Sequence, residues 1–413
     1  MEEAGDLLAG LRVLDTANYI AGPSAAAVLA DFGADVIKIE APRGGDPYRQ
    51  FQGYPGNPPS AYDYGWQVDN RNKRGLALDL RTPEGQAVLA RLAAGSDVVM
   101  VNAPLKSRAR LGLEYETLSK HNPKLIYASF TAYGEEGPDA DRIGFDHTAC
   151  WARSGLMDTI KPSPDSAPAR TATGMGDHVS GLTLVAGVMM ALYRRERTGR
   201  GGTVMTNLMA NGLWMNAVQA QAMLFGAEYA HRPPRERNDN ALHNLYRSSD
   251  GRWFHLIAVP EDKSWPALIT LLESDAVRDD PRFASTEARR RNSADLIAVL
   301  DKAFSECPLD HWAERFDAAG INYGPVARLR DIPEDRQMRE TGAIAPICGL
   351  GDGLSIVDSP VWLGGAEKKA HGRAPRLGEH SAAILREFGF DETEIDALHA
   401  SGTIAMAEEG RTL

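Results

Sequence analysis

Through the first third of the chain, apolar positions come in short unbroken runs separated by polar breakers. Residues 11–15 (Leu-Arg-Val-Leu-Asp), 34–40 (Ala-Asp-Val-Ile-Lys-Ile-Glu), 75–80, 97–101 and 125–130 are each too short for an ordinary helix. They read as buried strands. Between them the apolar spacing takes the helical period. Residues 24–32 read as a helix closed by Gly33, since glycine accepts the left-handed turn that ends a helix. Thr82, Pro83 and Glu84 supply a side-chain cap, a preset φ and a first-turn acid for another helix, running to about residue 94. Strands alternating with helices predict a mostly parallel, doubly wound sheet.

The pattern then changes. Residues 43–70 are rich in Gly, Pro, Tyr and Asp without a period, and read as a long loop near a functional edge. Residues 182–193 hold the longest apolar run; it is too short to span a bilayer and reads as a buried helix. Residues 232–240 turn polar and breaker-rich and mark a domain boundary. Beyond it, residues 245–259 read as a hairpin about Ser249, Asp250 and Gly251. Residues 265–316 read as mainly helical, 320–326 as loop and strand, and 373–413 as two short helices.

Composition narrows the function classes. The 413 residues, 43% hydrophobic and 24% charged, suit a soluble globular protein of two or three domains. A net charge of −11 without a basic stripe argues against nucleic acid. Cys150, Cys307 and Cys348 are widely spaced, which fits a reducing cytoplasm and no zinc site. No HExxH, EF-hand or His-rich tract occurs, so no metal is expected. Residues 1–6 are acidic and lack the apolar core of a secretory signal. The first strand-to-helix turn, Asp15 to Ser24, has no G-x-G-x-x-G, and the chain has no P-loop motif. Nicotinamide, flavin and P-loop ATP chemistry are accordingly disfavoured.

One segment stands out: Gly174-Met-Gly176-Asp177-His178-Val-Ser-Gly181, run straight into the apolar helix. A carboxylate at a helix N-terminus should stay ionised, and an oxyanion formed beside it finds N–H donors, here near His178 and Val179. Asp is also a favoured N-cap, and on this stretch alone capping is the commoner explanation.

The pieces fall in a fixed order. Residues 11–15 precede Ala21-Gly22-Pro23; residues 30–40 and Gly45-Asp46 follow. Then come Asn70-Arg71-Asn72-Lys73-Arg74, Asp97 to Asn102, Tyr133-Gly134, Gly137-Pro138, and Gly176-Asp177 leading into Arg197-Thr198-Gly199. Gly324-Pro325-Val326 and Gly378-Glu379-His380 close the series. Over about residues 7–400 this resembles the class III coenzyme A transferase family, the CaiB/BaiF and formyl-CoA transferase type. The resemblance implies a Rossmann-like large domain from both chain ends, residues 1–230 and 335–413, with a smaller inserted α+β domain at 231–334. It also implies a homodimer of interlocked chains and no partner in nucleic acid or membrane. Coenzyme A enters as co-substrate, with no tightly bound cofactor.

Residue by residue, the resemblance places the catalytic carboxylate at Asp177. It places CoA contacts at Ile20, Ala21, Arg43, Asn72, Lys73, Asn102, Arg110 and Tyr133. Phe145, Asp146 and His178 fall where substrate is positioned. The implied activity moves CoA from an acyl-CoA to a free carboxylic acid, through an aspartyl anhydride and an aspartyl-CoA thioester. The formyl-CoA:oxalate branch carries a glycine run that residues 237–246 lack, which argues against oxalate. The racemase branch carries His-Asp where this chain has Phe145-Asp146, which ranks an α-methylacyl-CoA racemase second. A non-catalytic CoA-binding protein is a third reading. Tyr62, Tyr64, Trp66, Trp151 and Met175 suit either an acyl pocket or the core.

Overall fold

A computed structural model describes residues 7–54 and 57–407. The acidic start at residues 1–6, residues 55–56 of the expected loop, and the terminal residues 408–413 lie outside the described residues. The chain divides into two compact units: Met1–Met157, Arg170–Gln221 and Arg336–Leu413 form one; Asp158–Ala169 and Ala222–Asp335 form the other.

The first unit is built on a seven-stranded sheet. Strands β1 (Arg12–Asp15), β2 (Asp35–Glu40), β3 (Arg74–Leu78), β4 (Val98–Val101), β5 (Ile126–Thr131) and β6 (Gly202–Asn207) are all parallel. Their spatial order is 3-2-1-4-5-6, with Ile404–Ala405 antiparallel beside β3. The inner strands are buried on both faces, so their apolar residues run on without alternation. Val13, for example, lies between Val36 and Val98.

Helices cover both faces. α1 (Ala21–Asp31) is buried along its whole length, as a helix wedged between sheet and helix should be. α2 is Tyr64–Asn70 and α3 is Pro83–Ala94. Thr82 caps α3 as expected, its Oγ accepting the Gly85 N–H at 3.0 Å. The longest helix, α4, is Met175–Thr198. Leu184, Val188 and Ala191 of α4 join Ala25, Leu29 and Val13 in the core on one face of the sheet. Leu89 and Leu92 of α3 join Ile384, Leu385 and Ile395 on the other.

The second unit is a three-stranded antiparallel sheet, His243–Arg247, Trp253–Ile257 and Tyr323–Pro325, with helices at Glu261–Leu272, Ser293–Phe304 and Leu309–Ala319. Tyr246, Phe254, Phe304, Trp312 and Phe316 stack into its core.

Three expectations are corrected. The loop at residues 43–70 contains a 3₁₀ turn, Pro47–Gly53, and α2, each capped by an aspartate side chain, Asp46 and Asp63. The apolar run at 182–193 belongs to a 24-residue helix, and within that run only Leu184, Val188 and Ala191 are buried; by length and composition α4 could cross a membrane, and 33% of its most apolar window is buried. Strand β6 was not foreseen. Gly201 lets it approach β5: a Cβ there would stand 2.1 Å from the Leu125 carbonyl oxygen.

Asp31, Asp358 and His371 offer ligand atoms within 4.8 Å of one another. Their charges are already matched. Arg71 bonds Asp31 at 2.6 Å, Lys368 bonds Asp358 at 2.7 Å, and His371 lies 3.1 Å from Asp358. Burial opposes the imidazolium, but bonds to Asp31 and Asp358 outweigh it and lift His371 to about 9. Because the folded value exceeds the unfolded one, this contribution is complete below about pH 6.5 and is lost as pH rises through about 9. Thermal melts of the protein should therefore drop between those values, and His371→Asn should flatten that drop.

Candidate active site

The strand order reverses between β1 and β4, which opens a crevice beyond their carboxyl ends. Asn102, just after β4, ties the turn after β1: its Oδ1 accepts the Asn18 N–H at 2.9 Å, and its Nδ2 donates to the Asn18 carbonyl at 2.7 Å. A buried ionic network supports this turn from beneath. Lys38 donates to Asp46 at 2.9 Å and to the Ala17 carbonyl. Asp46 in turn accepts the Tyr19 N–H, holding Tyr19 at φ +67°. α1 then begins at Ala21 with no side-chain cap, which leaves its first amides without a side-chain acceptor.

The start of α4 lies against the start of α1. A Cβ on Gly181 would be 2.4 Å from Ser24 Oγ and 2.9 Å from the Ala21 carbonyl oxygen. A Cβ on Gly174 would be 3.1 Å from the Ile20 side chain. The third contact comes from a π-helical turn, Asp146–Ala152, a form of backbone frequent at functional sites. Asp146 Oδ2 accepts the Gly176 N–H at 3.3 Å.

These contacts set Asp177 in the first turn of α4. The N-cap position belongs to Gly174, and no side chain caps the helix, so Asp177 does not serve as the cap. It is half-buried. Burial, reinforced by the charges of Asp146 and Asp69, pushes its carboxyl up to about 7 against the opposing pull of His178. The helix-terminus expectation of a fully ionised group is thus corrected. Asp146 is also raised by burial, and its Oδ1 has no hydrogen-bond partner. Cys150 packs under both acids, its thiol pushed up to about 12 by burial and by their charges.

His178 points the other way along the cluster. Its Nε2 lies 2.9 Å from Asp69 Oδ1 on α2. Burial lowers its basicity, but the Asp69 bond and charge prevail and raise it above the ordinary histidine value. Its backbone N–H donates to the Gly174 carbonyl at 2.9 Å; that amide is spent inside the helix and is not the oxyanion donor expected from the sequence.

The other expected residues divide. Ile20, Ala21 and Asn102 line the switch point. Phe145 is half-exposed beside Asp146, edge-on to Tyr19 at 5.8 Å. Arg43 and Arg110 are exposed. Lys73 is fully buried, donating to Asp15 at 2.8 Å, to the Pro23 carbonyl at 2.8 Å and to Asn70 at 2.9 Å. Burial, partly countered by Asp15, brings it down to about 8. Asn72 is engaged with Asp31 and the Gly372 N–H, and Tyr133 is buried beside Gly144. These three brace the fold from inside, and their side chains do not face the crevice as free ligands. Trp66 and Trp151 are core residues, whereas Tyr62, Tyr64 and Met175 are exposed.

Sequence reasoning missed Asp69, Tyr48 and the part played by Cys150. Tyr48 is buried, and its phenol is pushed far upward by burial and by Asp69, Asp63 and Asp177. Asp63, a helix-capping residue six positions before Asp69, was the available signal for α2. Two cavities, of about 450 Å³ at residues 342–371 and about 540 Å³ between Ala94 and Gly199, lie away from Asp177.

The strand order and its crevice define a Rossmann-like, doubly wound α/β protein. Residues 8–381 match CoA-transferase family III. The chain is 30% identical to cinnamoyl-CoA:phenyllactate CoA-transferase of Clostridium sporogenes over 99% of its own length and 100% of the relative's. It is 29% identical to (R)-2-hydroxy-4-methylpentanoate CoA-transferase of Clostridioides difficile, over 94% and 97%. A crystal structure of a CaiB/BaiF family protein from Brucella suis superposes with a TM-score of 0.81 at 31% identity, covering 92% of this chain and 99% of that one. The chain belongs to CoA-transferase family III and is a CoA-transferase.

Gly176 has no room for a side chain: a Cβ would meet Asp146 Oδ1 at 2.3 Å and Cys150 Sγ at 2.4 Å. Gly176→Ala should cost about 1–3 kcal/mol of stability, read from urea unfolding.

Proposed function

We propose that this enzyme transfers CoA from an acyl-CoA to a free carboxylic acid through covalent intermediates on Asp177. The carrying observation is a half-buried carboxylate at the strand-order reversal, on a helix end, with no hydrogen bond to it among the described residues. A nucleophile needs that freedom. Asp177 attacks the acyl-CoA carbonyl; the C–S bond breaks, leaving an acyl-aspartyl anhydride and CoA thiolate. The thiolate attacks the aspartyl carbonyl, forming aspartyl-CoA and expelling the first carboxylate. The acceptor carboxylate attacks that thioester and releases thiolate again. The thiolate takes the new acyl group and Asp177 returns as carboxylate. Energy is conserved from thioester to thioester, so the sequence needs no nucleotide.

The CoA arm follows the turn at Ile20, Ala21 and Asn102, whose open amides suit phosphate. Arg43 and Arg110 are exposed cations for its phosphates. The exposed Tyr19–Phe145 pair and Met175 favour an apolar acyl group, and the relatives named for phenyllactate and 2-hydroxy-4-methylpentanoate agree. Phe145 has no proton to exchange at an α-carbon, which favours transfer over racemisation. With all three cysteines free, the cytoplasm is the proposed compartment.

Asp177→Asn should abolish turnover, and hydroxylamine should trap the acyl-enzyme of the native protein at Asp177 by mass spectrometry. An active asparagine variant would sink the covalent path. The carboxylate must be ionised to attack, so with both substrates saturating the rate should climb about tenfold per pH unit below about 7 and level off above it.

We also propose that two copies associate. Met190, Tyr193, Met205, Trp214 and Val218 expose apolar surface on α4, β6 and the segment after it, more than an isolated surface normally leaves open. Sedimentation should give twice the 44.8 kDa chain mass, and Trp214→Glu should shift it toward the monomer.

A further inference from the structure

The acid half of the reaction brings a carboxylate into a cluster that is already acidic. Around His178 stand Asp177 on its own helix, Asp69 from α2, Asp146 and Cys150 from the π-turn, and Tyr48 from the 3₁₀ turn. The neighbouring imidazole, His147, is turned to the Thr171 carbonyl, 3.4 Å from its Nε2. Like charges resist a further anion in such a place. Yet transfer requires that anion within bonding distance of the aspartyl carbonyl.

Asp69 is 1% exposed; its Oδ1 is given to His178 Nε2 at 2.9 Å, and the Tyr48 phenol is its other hydrogen-bonding neighbour. A buried carboxylate in that condition is best matched by a cation. The His178 side chain is 47% exposed; its Nε2 edge is held by Asp69 and its other edge lies beside Gly174, at the start of the turn that carries Asp177.

We propose that Asp69 is a positioning residue for the acid half of the reaction, locking His178 beside Asp177 as the cation that receives the carboxylate of the incoming acid. This rests on the covalent reading of Asp177. The ring acts by charge: it draws the acid in, then balances the negative charge while the acid's oxygen bonds the aspartyl carbonyl and the C–S bond to CoA breaks. The ring's raised basicity widens the pH range over which it is charged and predicts that productive acid binding fails on the alkaline side.

The test is initial rates of the full-length enzyme across pH 5–9, with saturating acyl-CoA and varied 3-phenylpropanoate or phenyllactate as probe acids. Asp69→Asn should raise the acid KM about tenfold at neutral pH, change kcat much less, and move the alkaline limb to lower pH. His178→Gln, at a half-exposed position that tolerates the change, should raise the acid KM by a similar factor and remove that limb. The double variant should be no worse than either single one. Unchanged acid KM and alkaline limb in Asp69→Asn, or effects that simply add, overturn the proposal. If Asp69→Asn fails to fold, a normal acid KM in His178→Gln overturns it alone. Hydroxylamine trapping on the native enzyme separates the two ideas. Without an Asp177 adduct the covalent reading fails; with an adduct and unmoved KM values, only the role of Asp69 does.

Discussion

The site depends on backbone approaching backbone without side chains in between. Gly181 brings the first turns of α4 against the first turns of α1, and Gly176 brings the same turn against Asp146 and Cys150. Both contacts are tighter than any Cβ allows. Together they carry the start of a long helix to the point where the sheet reverses its strand order. An acid three residues beyond a helix cap is ordinary; the same acid pressed in between two helix ends and a π-turn is not.

That placement raises an electrostatic difficulty which the surrounding residues resolve. Asp177, Asp146 and Asp69 are crowded, and burial alone favours protonating the first two. His178 opposes this from one side. Farther down, the pairs Lys38–Asp46 and Lys73–Asp15 keep the turn after β1 rigid with buried but matched charges. Charge near the crevice is therefore graded: fully paired beneath the first turn, and left partly unpaired around Asp146 beside Asp177.

Much of this was legible in the chain. The runs at 11–15, 34–40, 97–101 and 125–130 became strands because both faces of a parallel sheet are buried, and continuous Val and Ile announce that plainly. Thr82-Pro83-Glu84 is local chemistry and needed no tertiary information. Strand β6 was hidden because an edge strand alternates polar with apolar residues and here begins on glycine. α2 was hidden because seven residues carry too little periodicity to stand out from the loop around them. Asp177 was visible as an acid at a helix start, but Asp69, more than a hundred positions earlier, reaches the neighbouring His178 only through the fold. Lys73 shows the reverse: the resemblance placed it among the CoA contacts, whereas its three protons are spent on interior oxygens.

The short strand Ile404–Ala405 pairs with Leu78 and Ala77, and the Thr403 carbonyl accepts the Asp79 N–H. The β3 edge of the large sheet thus waits for residues more than three hundred positions further along the chain. The small unit, most of it the single stretch Ala222–Asp335, has a more local set of partners and need not wait as long. Synthesis accordingly leaves β3 as an open edge until residues 404 and 405 have been made.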